Sequence, residues 1–180
     1  MIRVDIPANL GFIGNMDPLL IITTGGTIDK VYFDAKSQYS VGEPQIGDVL
    51  RLSHVDVGYE ILPLFQKDSL EMTDADRQII KEAVLSTSAH RILITHGTDT
   101  MTDTAKFLGT VPGKTIVLTG ALLPARFRDN DAIFNIGFAM AAMQTLSEGT
   151  YLCMNGHVYL PDRVIKDREK NRGSHCIHHL

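Results

Sequence analysis

Five short apolar runs, spaced along the chain and separated by stretches with helical character, constrain the fold more than any other feature. They are Leu19-Leu20-Ile21-Ile22, Tyr59-Glu60-Ile61-Leu62, Arg91-Ile92-Leu93-Ile94-Thr95, Thr115-Ile116-Val117-Leu118 and Thr150-Tyr151-Leu152-Cys153. Runs that are apolar on successive positions belong to strands covered on both faces, which is the condition of a parallel sheet. Between them, Thr73 caps a segment whose Ile79, Ile80, Ala83 and Val84 form one stripe, and Thr102 to Leu108 makes a short helix closed by Gly109. Asp129-Asn130-Asp131 supplies caps for a helix from Ala132 to Leu146 ended by Gly149, and Ile46 to His54 reads as a further short helix. Strand and helix alternating at this rhythm predict an α/β fold: a doubly wound, mainly parallel sheet of the flavodoxin- or Rossmann-like three-layer type, as a single domain. At 180 residues the chain can bury roughly 70% of its unfolded surface, so a core forms without staples.

The expected organisation is a lead-in over residues 1–17, an α/β domain over 18–170 and a His-rich tail over 171–180. Pro7, Asn9, Gly11 and Gly14 break the N-terminal apolar stretch, so no signal peptide is expected there. The longest apolar stretch, Ala132 to Met143, is shorter than the about 20 residues a membrane span needs, and reads as a buried helix. Seventeen Lys and Arg against 21 Asp and Glu give a net charge of −4, which argues against a nucleic-acid partner. Two cysteines, Cys153 and Cys176, suit a reducing compartment and a cytoplasmic location. His175, Cys176, His178 and His179 are metal-ligating types, but a terminal cluster lacks a second anchored pair of ligands, so neither metal nor cofactor is expected.

In doubly wound sheets ligands sit beyond the carboxyl ends of the strands. That rule places Thr23 to Ile28, Gln66 to Ser69, Thr95 to Asp99 and Thr119 to Ala121 on one rim. The loop Thr23-Thr24-Gly25-Gly26-Thr27-Ile28 admits three readings: an anion-binding turn, a plain tight turn, or a loop presenting the Thr27 hydroxyl as a nucleophile. A phosphate-binding P-loop would need a Lys-Ser/Thr ending that is missing here. In Thr95-His96-Gly97-Thr98-Asp99-Thr100, Asp99 could orient an ammonium and Thr98 could pass a proton. Helix capping competes with both roles, and His96 reads as a structural hydrogen-bonding residue.

Taken together the two loops resemble a known family. Thr23-Thr24-Gly25-Gly26-Thr27-Ile28 is similar to the first signature of the bacterial-type L-asparaginases, and Thr95-His96-Gly97-Thr98-Asp99-Thr100 resembles the second. Ser37 to Gly42 resembles the family's mobile loop and Asp68 to Thr73 its substrate-carboxylate segment. Gly120 to Pro124, Phe134-Asn135 and Asp162 to Lys166 match later blocks. The resemblance runs over residues 18 to 168. It implies an amidohydrolase that converts L-asparagine to L-aspartate and ammonia through a threonine acyl-enzyme, with L-glutamine a slower or negligible substrate. Thr27 would be the nucleophile, assisted by Tyr39. Thr98, Asp99 and Lys166 would handle protons and activate water. Main-chain N–H groups near Gly26 and Thr98 would hold the oxyanion. Ser69 would take the substrate carboxylate, Asp99 its ammonium, and the Ala121 backbone the departing amide. No cofactor is implied, and a homo-oligomer, dimer or tetramer, is.

Familiar members of that family have two domains, and the resemblance covers the first. A short single-domain branch, with a more open site and weaker substrate binding, is the expectation, and Asp29, Asp34 or Glu43 could replace the acid that orients the tyrosine. Two other readings stand beside it: a catalytically silent amino-acid-binding module, and an ammonia-supplying component of an amidotransferase.

Overall fold

Each apolar run becomes a strand, and the strands lie side by side in one sheet. A computed structural model of the chain describes residues 18–33, 38–167 and 172–175. In chain order the elements are β1 (Leu19–Gly25), β2 (Lys30–Phe33), β3 (Gln38–Val41), α1 (Ile46–Leu52), β4 (Tyr59–Lys67), α2 (Asp74–Ser86) and β5 (Arg91–Thr95). They continue with α3 (Met101–Leu108), β6 (Thr115–Thr119), α4 (Ala132–Thr145), β7 (Gly149–Met154), β8 (His157–Tyr159), β9 (Val164–Asp167) and β10 (Arg172–His175). The main sheet has the order β4-β1-β5-β6-β7-β8. Its first five strands are parallel, and β8 returns antiparallel on the edge. This is the predicted three-layer α/β arrangement. Two antiparallel pairs, β2 with β3 and β9 with β10, are additions that no long apolar run announces.

Alternate residues of each strand feed two separate cores. Leu20, Ile22, Ile92, Ile94, Ile116 and Leu118 pack with Ile80 and Val84 of α2 and Ala105 and Leu108 of α3. Leu19, Ile21, Leu93 and Val117 pack on the other face with Ile46 and Leu50 of α1 and Ile136, Ala139 and Met143 of α4. A strand buried on both faces has no polar side to show, which is why its sequence reads as a continuous run.

Two helices depart from the reading of their sequence. In α2 the buried line is Ile80 and Val84 with Arg77 beside them, and Ile79 is exposed. The helix turns about 100° between neighbours, so Ile79 and Ile80 cannot both face the sheet. Helix α4 is apolar all round, yet it buries one flank, with Ala132, Ile136, Ala139, Met140 and Met143, while Ile133 and Phe134 are 51% and 60% exposed. It is capped by Asn130, whose Oδ1 accepts from the N–H groups of Ala132 and Ile133 at 3.0 and 3.3 Å. It ends at Thr145, and Gly149 opens β7 instead of closing the helix. The α2 cap is as expected, with Thr73 and Asp76 each accepting from the other's backbone.

The lead-in over 1–17 lies outside the described residues, as do Cys176, His178 and His179 of the tail. His175 belongs to β10, opposite Val164. Among the described residues no helix is long and apolar enough to cross a membrane, and none form a group of three or more side chains that could hold a metal ion. Cys153 is buried, and burial pushes its thiol up to about 12, so it stays protonated and unreactive.

Candidate active site

The chain leaves β1 toward α1 on one face of the sheet and leaves its neighbour β5 toward α3 on the other. Loops that diverge from adjacent parallel strands open a crevice at the carboxyl ends, the usual ligand position in such sheets. Threonines end these strands. Thr23, Thr95 and Thr119 stand in register across β1, β5 and β6, with side chains on one face. Thr119 gives its hydroxyl to the Cys153 carbonyl at 2.8 Å. Thr23 and Thr95 are the two buried hydroxyl groups without a partner among the described residues. Thr24, on the other face, donates to the Thr95 carbonyl at 2.9 Å and ties β1 to β5 where the loops begin.

Four loops meet above this edge, backbone against backbone. Gly26 has φ 87°, in the left-handed region, and a Cβ there would lie 2.5 Å from both Cα and N of Gly97. A Cβ on Gly97 would in turn lie 2.5 Å from Ser69 Oγ. At Gly26 only glycine satisfies both the dihedral and the approach. A Cβ on Gly120 would strike the His96 carbonyl oxygen, and it would come within 3.2 Å of the Thr98 methyl. Hydrogen bonds fix the arrangement: Gly26 N to the Lys67 carbonyl at 2.9 Å, His96 N to the Thr119 carbonyl at 2.9 Å, and Thr100 Oγ1 to the Ser69 carbonyl at 2.7 Å.

The structure therefore gathers Gly26, Ser69 and Thr98 at one place, with Thr27, Asp99 and Ala121 as immediate chain neighbours of that contact. Ser69 and Ala121 are buried, and Thr27, Thr98 and Asp99 are half-buried at the mouth. Ser69 opens a single turn of 3-10 helix, held by Asp68, whose carboxylate accepts from Leu70 N at 3.1 Å. The loop that carries Ala121 is held by Asp131, whose carboxylate takes the N–H groups of Leu122 and Leu123 at 2.9 and 3.0 Å. Buried Asn135 adds its Nδ2, which donates to the Gly120 carbonyl at 3.0 Å. Tyr39 stands in β3 opposite Tyr32, and Lys166 in β9 opposite Gly173. The side chains of Tyr39 and Lys166 lie outside the described residues.

Two buried networks support the loops and leave little trace in the sequence. The first begins at Asp29, in the 3-10 turn Thr27–Asp29. Its carboxyl is 1% exposed and accepts from Gln45 N at 2.8 Å. Burial pushes its pKa up to about 7 against the lowering effect of that bond. Gln45 Oε1 accepts from Arg126 Nε at 2.7 Å, and Ala125 N donates to the Ile28 carbonyl at 3.1 Å. The turn after β1 is thus bolted to the loop after β6. Of the acids near Tyr39 in sequence, Asp29 is buried in this network, Glu43 accepts from Gln66 Nε2 at 3.1 Å, and Asp34 lies outside the described residues. Lys30 of β2 pairs with Asp68 at 2.8 Å, anchoring the hairpin beside Ser69.

The second network centres on His96, which is wholly buried. Its Nδ1 lies 2.8 Å from the Gly97 carbonyl oxygen and its Nε2 lies 2.9 Å from Thr104 Oγ1. Arg77 Nε donates to the same Thr104 oxygen at 3.2 Å. Burial brings the imidazole down to about 4, so it is neutral at physiological pH. His96 is a structural hydrogen-bonding residue, as the sequence suggests, but its partner Thr104 on α3, and Arg77 of α2 behind that threonine, come from contacts that no local pattern announces.

The family described as Asparaginase, N-terminal, matches residues 18–174. The chain is 28% identical over 170 residues to a glutaminase-asparaginase of Acinetobacter glutaminasificans, covering 82% of this chain and 49% of that protein. It is 27% identical over 162 residues to an L-asparaginase of Bacillus licheniformis, covering 84% of this chain and 50% of that one. The solved thermostable L-asparaginase of Thermococcus kodakarensis superimposes with a TM-score of 0.71 at 27% identity, over 83% of this chain and 48% of that one. L-asparaginase I of Vibrio cholerae shares the fold at a TM-score of 0.79 and 23% identity, over 89% and 52%. The chain spans about half the length of the asparaginases it matches. Both signature loops fall inside the matched span and meet in the structure: the chain is a member of the asparaginase family, matching its N-terminal domain.

Proposed function

We propose that the crevice hydrolyses the side-chain amide of L-asparagine to L-aspartate and ammonia, with L-glutamine a slower substrate. The observation that carries this reading is the seating of Gly26 directly against Gly97, which sets Thr27 and Thr98 at the lip of one crevice. Thr27 Oγ attacks the amide carbon, the C–N bond breaks, ammonia leaves with the proton taken from the hydroxyl, and an ester remains on Thr27. Water then cleaves the ester, returning the proton to Thr27 and releasing aspartate. A threonine hydroxyl needs a neighbouring base for this. Tyr39 is assigned that help in the first step, and Thr98 with Lys166 in the second. Lysine acts as a base only where its surroundings lower its pKa. Main-chain N–H groups near Gly26 and Thr98 stabilise the oxyanion; the N–H of Gly26 itself is held by the Lys67 carbonyl. Ser69 holds the substrate carboxylate, Asp99 its ammonium, and the Ala121 backbone the amide as it departs.

Ammonia release from L-asparagine and L-glutamine by the purified chain tests the reading. Turnover of asparagine, faster than glutamine and insensitive to a metal chelator, is the expected result. Saturable aspartate binding without turnover would instead make the chain a binding module. A cytoplasmic location accords with a neighbour of similar fold, described as a probable cytoplasmic L-asparaginase from Campylobacter jejuni, at a TM-score of 0.72 and 26% identity.

Assembly into a homo-oligomer, dimer or tetramer, belongs to the same reading. Its support is the outer face of α4, where Ile133 and Phe134 are exposed and the Phe134 ring stacks on Phe138 at 6.2 Å. Leu52 of α1, Ala125 and Ile133 line an adjoining groove together with Gln45, Asp48, Ser53 and Arg126. Exposed apolar residues gathered in this way mark an association surface. Phe134→Lys should shift the sedimenting species from oligomer to monomer, and a wild-type chain that is active as a strict monomer would contradict the assembly.

A further inference from the structure

We propose that Asn155 is a site of spontaneous deamidation through a cyclic imide, promoted by the imidazole of His157; the chemistry is independent of the amidohydrolase reading. Of the six asparagines of the chain, Asn155 is the one followed by glycine. The pair makes the two-residue turn between β7 and β8, with Met154 opposite His157, and both turn residues have positive φ, 52° and 78°. That is the type I′ pattern, which Asn-Gly favours. Asn155, Gly156 and His157 are exposed. Among the described residues nothing bonds the Asn155 side-chain amide or the Gly156 N–H. A Cβ on Gly156 would meet no atom beyond its chain neighbours closer than 3.7 Å, so the Gly156 nitrogen is uncrowded.

His157 distinguishes this turn from any other exposed Asn-Gly. Its Nδ1 lies 3.1 Å from the Asn155 carbonyl oxygen, and because a carbonyl only accepts, Nδ1 carries the proton. The ring is stacked on Tyr159, with centroids 5.7 Å apart. The Asn155 carbonyl and the Gly156 nitrogen belong to one peptide. A donor on that oxygen draws electron density out of the peptide and makes its N–H more acidic. Rotation about the Asn155 Cα–C bond brings the Gly156 nitrogen, having lost its proton, onto Cγ of Asn155. The carbonyl oxygen and His157 both lie on the C-terminal side of that bond, so their contact survives the rotation. The N–Cγ bond forms, the Cγ–Nδ2 bond breaks, and ammonia leaves with the proton. Water opens the imide at either carbonyl, adding its hydroxyl to the carbonyl carbon and its proton to the nitrogen. Opening at Cγ leaves aspartate. Opening at the main-chain carbonyl leaves isoaspartate, with one more carbon in the backbone. Asn155 N donates to Asn135 Oδ1 at 3.0 Å, and Asn135 in turn holds the Gly120 carbonyl. A two-residue turn lengthened by a carbon cannot keep both that bond and the pairing of Met154 with His157, so the isoaspartyl form loses the tie between the β7–β8 turn and α4.

Peptide mapping by mass spectrometry follows the reaction in the purified chain, incubated at neutral pH without substrate. Asn155 should convert ahead of every other asparagine and give a mixture of aspartyl and isoaspartyl chains. Conversion no faster at Asn155 than at Asn130 overturns the site. His157→Phe keeps an aromatic ring beside Tyr159 and removes the donor, so it should slow the conversion about fivefold, the scale of one hydrogen bond. In urea that unfolds the chain, wild type and variant should convert at the same rate, because the contact exists only in the fold. Equal rates in the folded chains, or a difference that persists in urea, overturn the part given to His157. Isoaspartyl chains, separated chromatographically, should unfold at a lower urea concentration than aspartyl chains. Equal midpoints overturn the coupling of the turn to Asn135.

Discussion

Thr27→Ala should lower ammonia release from L-asparagine by about 1,000-fold or more, the scale on which removal of a covalent nucleophile acts. The loss should fall on kcat, and calorimetric binding of aspartate should survive. Thr27 stands in a single 3-10 turn whose main-chain bonds do not involve its side chain: Asp29 N donates to the Gly26 carbonyl at 3.2 Å, and Ala125 N donates to that of Ile28 at 3.1 Å. Its half-buried hydroxyl holds no part of the core, so the variant should unfold at nearly the wild-type denaturant concentration. That separation makes the experiment clean, because a fall in rate cannot be charged to a fall in folded protein. A Thr27→Ala chain that turns over asparagine at the wild-type rate would remove Thr27 from the mechanism and leave the crevice without its nucleophile.

Asp29→Asn should reshape how stability depends on pH. In the folded chain Asp29 keeps its proton up to about pH 7, whereas the ordinary value for an aspartate is 3.8. Between those values the native state binds more protons than the unfolded one, so this group makes stability fall as pH rises. His96 acts in the opposite sense. Its folded value of about 4 lies below the ordinary 6.5, so the unfolded state binds more protons between them and stability rises with pH. The two slopes offset from about pH 4 to 6.5, and above that range Asp29 acts alone until about pH 7. Asparagine at position 29 can still accept from Gln45 N through its carbonyl oxygen, and it never ionises. Relative to the wild type, the variant should be equal at about pH 4, pull ahead as pH rises, and lead at about pH 8 by on the order of 3 kcal/mol. Urea unfolding at these pH values measures this. A difference that is the same at both ends of the range would show that Asp29 does not carry its proton through it.

Thr27 and Asp29 share one turn, yet they differ in how they could be found. Thr27 lies in a six-residue pattern at the end of an apolar run. Its placement follows from strand burial and from the rule that ligands gather at carboxyl ends, both of which are properties of the sequence. Asp29 is an ordinary acid to the eye, and only the seating of Gln45 and Arg126 over it makes it a proton-retaining one. The same contrast holds for helices. The caps at Thr73 and Asn130 depend on residues within three positions and are legible, whereas the exposed side of α4 depends on which flank meets the sheet.

The sequence by itself determined the five parallel strands, their order along the chain, and the two signature loops, because periodicity and turn chemistry act over a few residues. The tertiary structure alone decided which loops touch, with Gly26 laid on Gly97 and Gly97 on Ser69. It also decided which polar groups are buried with partners, as in the path from Arg77 through Thr104 to His96. Arg77 meets Thr104 across 27 positions of chain, and Thr24 meets Thr95 across 71. Burial and desolvation at such contacts depend on what the packed layers exclude, which no local pattern encodes.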